Sequence, residues 1–353
     1  MGCFGSKEKE DPEKKTEEKK YSWDKREKID PALYTVENLN DEFVIREPGS
    51  IDGQQFIIQN CKNTRIYLFD HIASITVDDC VDCCIIVGPV MGSIFIRDCE
   101  NCKFIVACQQ FRTRDCSKLD VFLSCATQPI IEASAKLKFG CYQLNYDGLK
   151  EQFEKSQLSL FCNNWCNIHD FTPVTEKSNS SLISEECSLN EMFPGLEDIG
   201  GGGKDSSTSK LNISTNRGDS VVLVSLGSRP KPSLDSCFVA VFPSNSSYQV
   251  ARNIVTLLKD KCVLVQIREI NLTVGDLKRI FPNSDLSVHH AAISSGSVIG
   301  IELNGDNCCN VCTDVVSTLP PEEQRSIYSS LNKDEVSGET ERFFDFCDIQ
   351  MNN

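Results

Sequence analysis

Between Phe56 and Cys141 the chain repeats itself, and a repeat of this kind leaves few folds open. Asn60-Cys61, Asp79-Cys80, Asp98-Cys99 and Asp115-Cys116 each close a short alternating apolar segment, and the cysteines are 19, 19 and 17 residues apart. A second apolar run follows five residues after each cysteine: Ile66-Tyr67-Leu68, Ile85-Ile86-Val87, Phe104-Ile105-Val106 and Val121-Phe122-Leu123. A period of about twenty residues, with two short β-type runs and polar corners, describes one coil of a parallel β-helix. A single coil cannot bury its own apolar edge, so the coils must stack.

Aligning the coils separates inside from outside. Phe56, Ile75, Ile94 and Phe111 share one position, and Ile58, Val77, Ile96 and Thr113 share another two residues on. On a strand these lie on one face, and their apolar character makes it the core face. The intervening residues must then face solvent. Ile57, Thr76, Phe95 and Arg112 form one outer column, and Gln59, Asp78, Arg97 and Arg114 the next. A weaker fifth coil sets Ile130 beside Arg112 and Glu132 beside Arg114, so Gln110, Arg112 and Arg114 project from the same outer face.

The chain has 353 residues, which favours two domains. Its net charge of −15 argues against nucleic acid as a partner, because such proteins carry a basic footprint. No apolar run is long enough for a membrane-spanning helix, and no secretory signal is visible. In that setting the 20 cysteines read as reduced thiols rather than disulfides, and the Asn-x-Ser/Thr sequons as chance.

Met1-Gly2-Cys3-Phe4-Gly5-Ser6 fits the N-myristoylation pattern, with Gly2 as the acceptor and Cys3 placed for S-palmitoylation. One myristoyl chain holds a membrane only marginally, and residues 7–20 mix Lys and Glu without a basic patch. The second anchoring signal would therefore be Cys3. Residues 1–20 read as a lipidated, disordered tether, 21–173 as the β-helix domain, 174–235 as a flexible linker and 236–353 as an α+β domain. Within 21–173, residues 21–55 are expected to cap the first coil, and Leu149–Gln157 reads as a short helix. In the last domain, runs at 238–242, 262–267 and 297–303 read as strands, and 249–259, 274–281 and 310–319 as helices. That order suggests a ferredoxin-like sandwich, with an apolar cluster from Glu341 to Phe346 docked on it.

Three side-chain groupings suggest chemistry. Cys80-x2-Cys83 with Cys99-x2-Cys102 has a zinc-ribbon spacing, but the coil alignment stacks these sulfurs as a ladder, which favours no metal. His169-Asp170 has no nucleophile to pair with and reads as packing against the solenoid. The outward arginines would by default form surface ion pairs worth little. No phosphate-binding loop pattern occurs.

The segment Cys108-Gln109-Gln110-Phe111-Arg112-Thr113-Arg114-Asp115-Cys116, with Ala126-Thr127-Gln128-Pro129-Ile130-Ile131-Glu132, resembles the tubulin cofactor C domain family. Tyr21-Ser22-Trp23-Asp24, Gly53-Gln54-Gln55-Phe56 and Ile168-His169-Asp170-Phe171-Thr172-Pro173 extend the resemblance. The fold it implies is mainly β plus α+β: a right-handed parallel β-helix followed by a ferredoxin-like, nucleoside diphosphate kinase-like domain. The function it implies is GTPase activation toward Arf-like small GTPases, chiefly Arf-like 3, at the cytoplasmic face of a membrane, in traffic of lipidated cargo to cilia. Arg112 would be an arginine finger, inserted in trans against the charge that builds on the transferring phosphoryl group. Gln109 would act with it in catalysis, and Gln110, Arg114, Glu132 and Phe171 would form the GTPase interface. No cofactor of its own is implied, since GTP and Mg2+ arrive on the partner. The last domain lacks the His-Gly-Ser-Asp context of the kinase, and His289-His290 precede the wrong elements, so docking or regulation is expected there. Two other readings stay open: a tubulin-folding cofactor, which Gly2-Cys3 disfavours, and an effector or scaffold that binds the GTP form without speeding hydrolysis.

Overall fold

The structure is a computed structural model that describes residues 30–351 except 176, 197, 198, 200–210, 331 and 332. Gly2 and Cys3, like Tyr21 to Asp24, lie outside the described residues.

The corners of the repeat explain its signature. Asn60, Asp79, Asp98 and Asp115, each just before a corner cysteine, have φ between 50° and 55°. Asn63, Asp82 and Asn101 at the second corner are left-handed too, with φ of 48–56°. Outside glycine, Asn and Asp enter this left-handed region at least cost, and two such residues per coil turn the chain between its strands. The cysteine that follows points inward. Cys61, Cys80, Cys99 and Cys116 each donate to the carbonyl two residues back, at 3.1–3.3 Å. In the next coil Ser134 donates to the Glu132 carbonyl in the same way.

The solenoid strands are β1 (Thr35–Glu37), β2 (Phe43–Arg46), β3 (Phe56–Gln59), β4 (Arg65–Leu68), β5 (Ile75–Asp78) and β6 (Cys84–Arg97). They continue as β7 (Lys103–Arg114), β8 (Asp120–Cys125), β9 (Ile130–Glu132), β10 (Leu137–Cys141), β11 (His169–Asp170) and β12 (Ser180–Leu182). All pair in parallel, one coil on the next. The register matches the repeat: Phe56, Ile75, Ile94 and Phe111 follow one another along one row, and all are buried. The 35–46 segment, expected to cap the first coil, is itself a coil, with β1 on β3 and β2 on β4.

One close approach fixes where β6 bends. A Cβ at Gly88 would lie 2.2 Å from the Asp70 carbonyl oxygen, so only glycine fits there. The Asp70 carboxylate beside it is buried and accepts from the Ile51 and Asp52 amides at 2.7 Å and from the His71 amide at 2.9 Å. Burial pushes the Asp70 pKa up, but these hydrogen bonds outweigh it and leave the group below its ordinary value.

Within 174–235, the stretch read as a flexible linker, described residues on both sides of 200–210 are packed. β12 extends the solenoid by pairing with β10, and Leu189, Met192, Phe193, Leu211, Val221 and Val222 are buried in a cluster on the outside of the coils. Its Ser, Asn and Gly content hid these anchors, because the apolar residues are too sparse to show a period. Val221–Leu226, read as a stray strand, packs without pairing into one.

The last domain holds β13 (Ser236–Val241), β14 (Val263–Ile270), β15 (Val298–Asn304) and β16 (Ile327–Ser329) in an antiparallel sheet of order β14-β15-β13-β16. Helices Ser247–Leu258 and Val274–Ile280 flank β14, and Cys308–Thr318 follows β15. This is the ferredoxin-like arrangement expected. Glu341–Phe346 belongs to a longer helix, Lys333–Met351, whose Phe343 and Phe344 are buried on the sheet. A boundary in space differs from the one in sequence: Phe161 sits in this domain's core, 5.0 Å from the Tyr248 ring. Leu158–Phe161, read as a strand, supplies this anchor and forms no strand.

Candidate functional site

Arg112 lies near the end of β7, in the outer column Phe95, Arg112, Ile130 and His169. Its neighbours on both sides are apolar, so no carboxylate stands beside it in the register. It is exposed, and among the described residues its guanidinium makes no ion pair or hydrogen bond. The other two arginines of the face behave differently. Arg97 donates its Nε to Asp78 at 2.7 Å and leans over the Phe95 ring, while Arg114 pairs with Asp115 at 3.4 Å. The surface ion-pair reading therefore holds for Arg97 and Arg114 and fails for Arg112. Arg114 and Glu132 are backbone partners, both exposed, and their side chains do not pair.

Arg112 stands at the edge of an open cleft of about 300 Å³ lined also by Gln110, Thr127, Gln128, Ile130 and His169. Gln110 accepts from the Ser93 hydroxyl at 3.1 Å, which ties it to the previous coil. Gln109 is half-buried, and its carbonyl accepts from the Thr127 amide at 3.1 Å and the Thr127 hydroxyl at 2.9 Å. The turn from Cys125 to Gln128 is thus stitched to β7 immediately before the arginine. Beneath it, the Cys108 and Cys125 thiols touch at 4.0 Å. Burial pushes the Cys108 thiol well above its usual range, so it stays neutral and packs rather than reacts.

The last coil places the remaining residues. β11 pairs His169 with Ile130 and Asp170 with Ile131. Asp170 is a brace: its carboxylate accepts from the Thr172 amide at 2.9 Å and from Asn179 at 2.9 Å. Thr172 in turn accepts the Ala133 amide at 2.7 Å. Phe171, with 59% of its surface exposed, is held between these anchors beside the His169 ring, centroids 4.6 Å apart. Packing of this segment against the solenoid was expected. That His169 would also reach the cleft was not legible, because β11 is too short to show a period.

Cys83 and Cys102 donate to carbonyls of their own and neighbouring coils at 3.3–3.4 Å, and Thr64 donates at the same repeat position. A hydroxyl takes the same role at Thr64, while the next coil fills the position with the buried Leu119, so the position is one of packing and not of metal ligation. Among the described residues, no cluster of His, Cys, Asp and Glu is arranged to hold a metal ion. In the last domain His289 is buried and stacks on Phe242 with centroids 3.8 Å apart; burial lowers its pKa, which keeps it neutral.

Residues 53–171 match the tubulin binding cofactor C family, a span that contains the cleft, Gln109, Arg112 and Phe171. A human protein named Protein XRP2 is 42% identical over 360 residues, covering 99% of this chain and 99% of its own length. Tubulin-folding cofactor C of Arabidopsis thaliana is 30% identical over 154 residues, covering 43% of this chain and 44% of its own. The solved structure of tubulin binding cofactor C from Leishmania major, 26% identical, covers 35% of this chain and 86% of that one at a TM-score of 0.31, too low to bear on the fold. The likeness to Protein XRP2 runs through both domains and the stretch between them, and on that ground the chain belongs to the XRP2 family, with a tubulin cofactor C domain in its N-terminal half.

Proposed function

We propose that this protein is a GTPase-activating protein for Arf-like small GTPases, with Arf-like 3 as the partner, and that Arg112 acts in trans as its arginine finger. One observation carries the reading: Arg112 is the arginine of the outer face whose guanidinium is left without an ion pair among the described residues, at the edge of an open cleft. A finger must reach charge that develops on another molecule, so a cation already neutralised at home would serve poorly. Its backbone is held by strand pairing on both sides, which limits the reorganisation needed on docking.

Gln109 and Gln110 orient the arginine and meet the nucleotide-binding switches. Arg114, Glu132 and Phe171 complete the interface around them. GTP and Mg2+ arrive on the GTPase, and the chain supplies no cofactor. Gly2 and Cys3 carry the myristoyl and palmitoyl groups that hold the protein at the cytoplasmic face of the plasma membrane and the ciliary base, where it supports transport of lipidated cargo. Among the described residues no helix is long and apolar enough to cross a membrane. The ferredoxin-like domain docks or regulates and does not transfer phosphate.

A second reading rests on the relatives named tubulin-folding cofactor C and tubulin-specific chaperone C, which share the cofactor C region. It places the chain in the tubulin pathway and makes no use of a lipid anchor. Single-turnover GTP hydrolysis by Arf-like 3 at saturating protein, wild type against Arg112→Ala with binding followed in parallel, tests the first reading. Strong stimulation lost in the variant while binding persists supports the finger. Binding without stimulation by the wild type leaves an effector or scaffold.

A further inference from the structure

The turn that walls the cleft is held from behind by the other domain. Asn164, fully buried, donates its Nδ2 to the Ala126 carbonyl at 2.8 Å, and its own amide donates to the Cys125 carbonyl at 2.8 Å. Its Oδ1 accepts from the Arg268 guanidinium of β14 at 2.5 Å. An amide side chain can donate to Ala126 only while its oxygen faces the other way, and a permanent cation on that side fixes the orientation. Arg268 is itself buried, and its Nε finds no partner among the described residues. A buried guanidinium with an unsatisfied N–H is costly, and a sheet built only for packing would place an apolar residue there. From Ala126 the connection continues through the Thr127 bonds to the Gln109 carbonyl, three residues before Arg112.

We infer that Arg268 and Asn164 are positioning residues through which the ferredoxin-like domain fixes the Cys125–Gln128 wall, and with it Gln109, for the stimulated GTP hydrolysis. This rests on the activating role proposed above. The C-terminal domain is then a structural part of the GTPase-activating site, although none of its residues lines the cleft.

The test uses the full chain with Asn164→Asp and Arg268→Met. Asn164→Asp keeps an acceptor for Arg268 but has no N–H for Ala126. Arg268→Met keeps the bulk and removes the donor. The maximal single-turnover rate with the GTP-bound GTPase should fall about tenfold or more in each, with affinity unchanged, as misplacement of groups around a reacting centre produces. The double variant should lose no more than either single one, because both break one connection. Backbone amide exchange at Ala126 and Thr127 should quicken in both variants while that of β7 stays slow. Wild-type rates in either variant, or a loss that follows only the fraction unfolded in a parallel thermal melt, would overturn the inference. If the wild type fails to stimulate, the activating role falls with it, and unchanged exchange at Ala126 and Thr127 would separately dispose of the brace.

Discussion

Arg112 and Phe95 stand side by side across β7 and β6, the position at which the coil register sets no acidic residue next to the arginine. Two residues further along the same strand pair, Arg97 is neutralised by Asp78. The difference between a spent cation and an available one therefore comes from a single shift of column on the same sheet face.

Arg112→Lys distinguishes charge from geometry at this position. Lysine keeps the positive charge but not the planar fork that can meet two phosphoryl oxygens. Stimulated hydrolysis should fall about 10³-fold or more for Arg112→Ala, and Arg112→Lys should recover little of it. Since Arg112 has no side-chain partner to lose among the described residues, the unfolding midpoints of both variants should match the wild type, which a thermal melt checks.

Asp70 should give the solenoid an acid-sensitive component. Its folded pKa is depressed, so its contribution to stability is fully present above the unfolded pKa and is lost as pH falls through the folded one. Asp70→Asn should cost about 1.5–3 kcal/mol at neutral pH by weakening charge-assisted bonds to backbone amides. The gap between variant and wild type should close as pH drops below about 4. Denaturant melts across that range read it directly, and a gap independent of pH would contradict the assignment.

Gly300 should tolerate no side chain. A Cβ there would lie 2.2 Å from the Phe343 ring. Gly300→Ala should destabilise by about 1–3 kcal/mol through overpacking. Because β15 and the last helix both belong to the ferredoxin-like sheet, the loss should appear in the melting of that domain.

The cysteine ladder should be indifferent to metal. Adding a strong chelator, or Zn2+, should leave the thermal midpoint unchanged, since the thiols are engaged with carbonyls. Cys99→Ser should be better tolerated than Cys99→Val, because serine can still donate to Arg97 O as Ser134 does to Glu132 O. The loss in Cys99→Val should be about 1 kcal/mol beyond any packing term.

The solenoid was readable because its period is printed in residue types that physics restricts. Asn and Asp hold the left-handed corner at least cost in the central coils, a small donor follows them there, and alternation marks the core face. Arg112 could be placed on the outer face by counting alone. What counting could not supply was its lack of a partner among the described residues, which depends on side-chain conformation rather than on order in the chain. The wall residues Thr127 and Gln128 lie in a turn with no period, and His169 sits in a strand of two residues. The coils on either side fix these positions through contacts distant in sequence. The packed stretch within 174–235 escaped for the same reason, since scattered anchors such as Phe193 and Val222 carry no local pattern.

Phe161 makes a practical point about dissection. A fragment begun in the Ser/Gly-rich stretch after residue 200 would contain the ferredoxin-like sheet with an aromatic-sized hole in its core, and the remaining piece would carry that ring bare in water. No single cut parts the two halves cleanly, since the chain lends Phe161 to one core and then returns to the other with Trp165, β11 and β12.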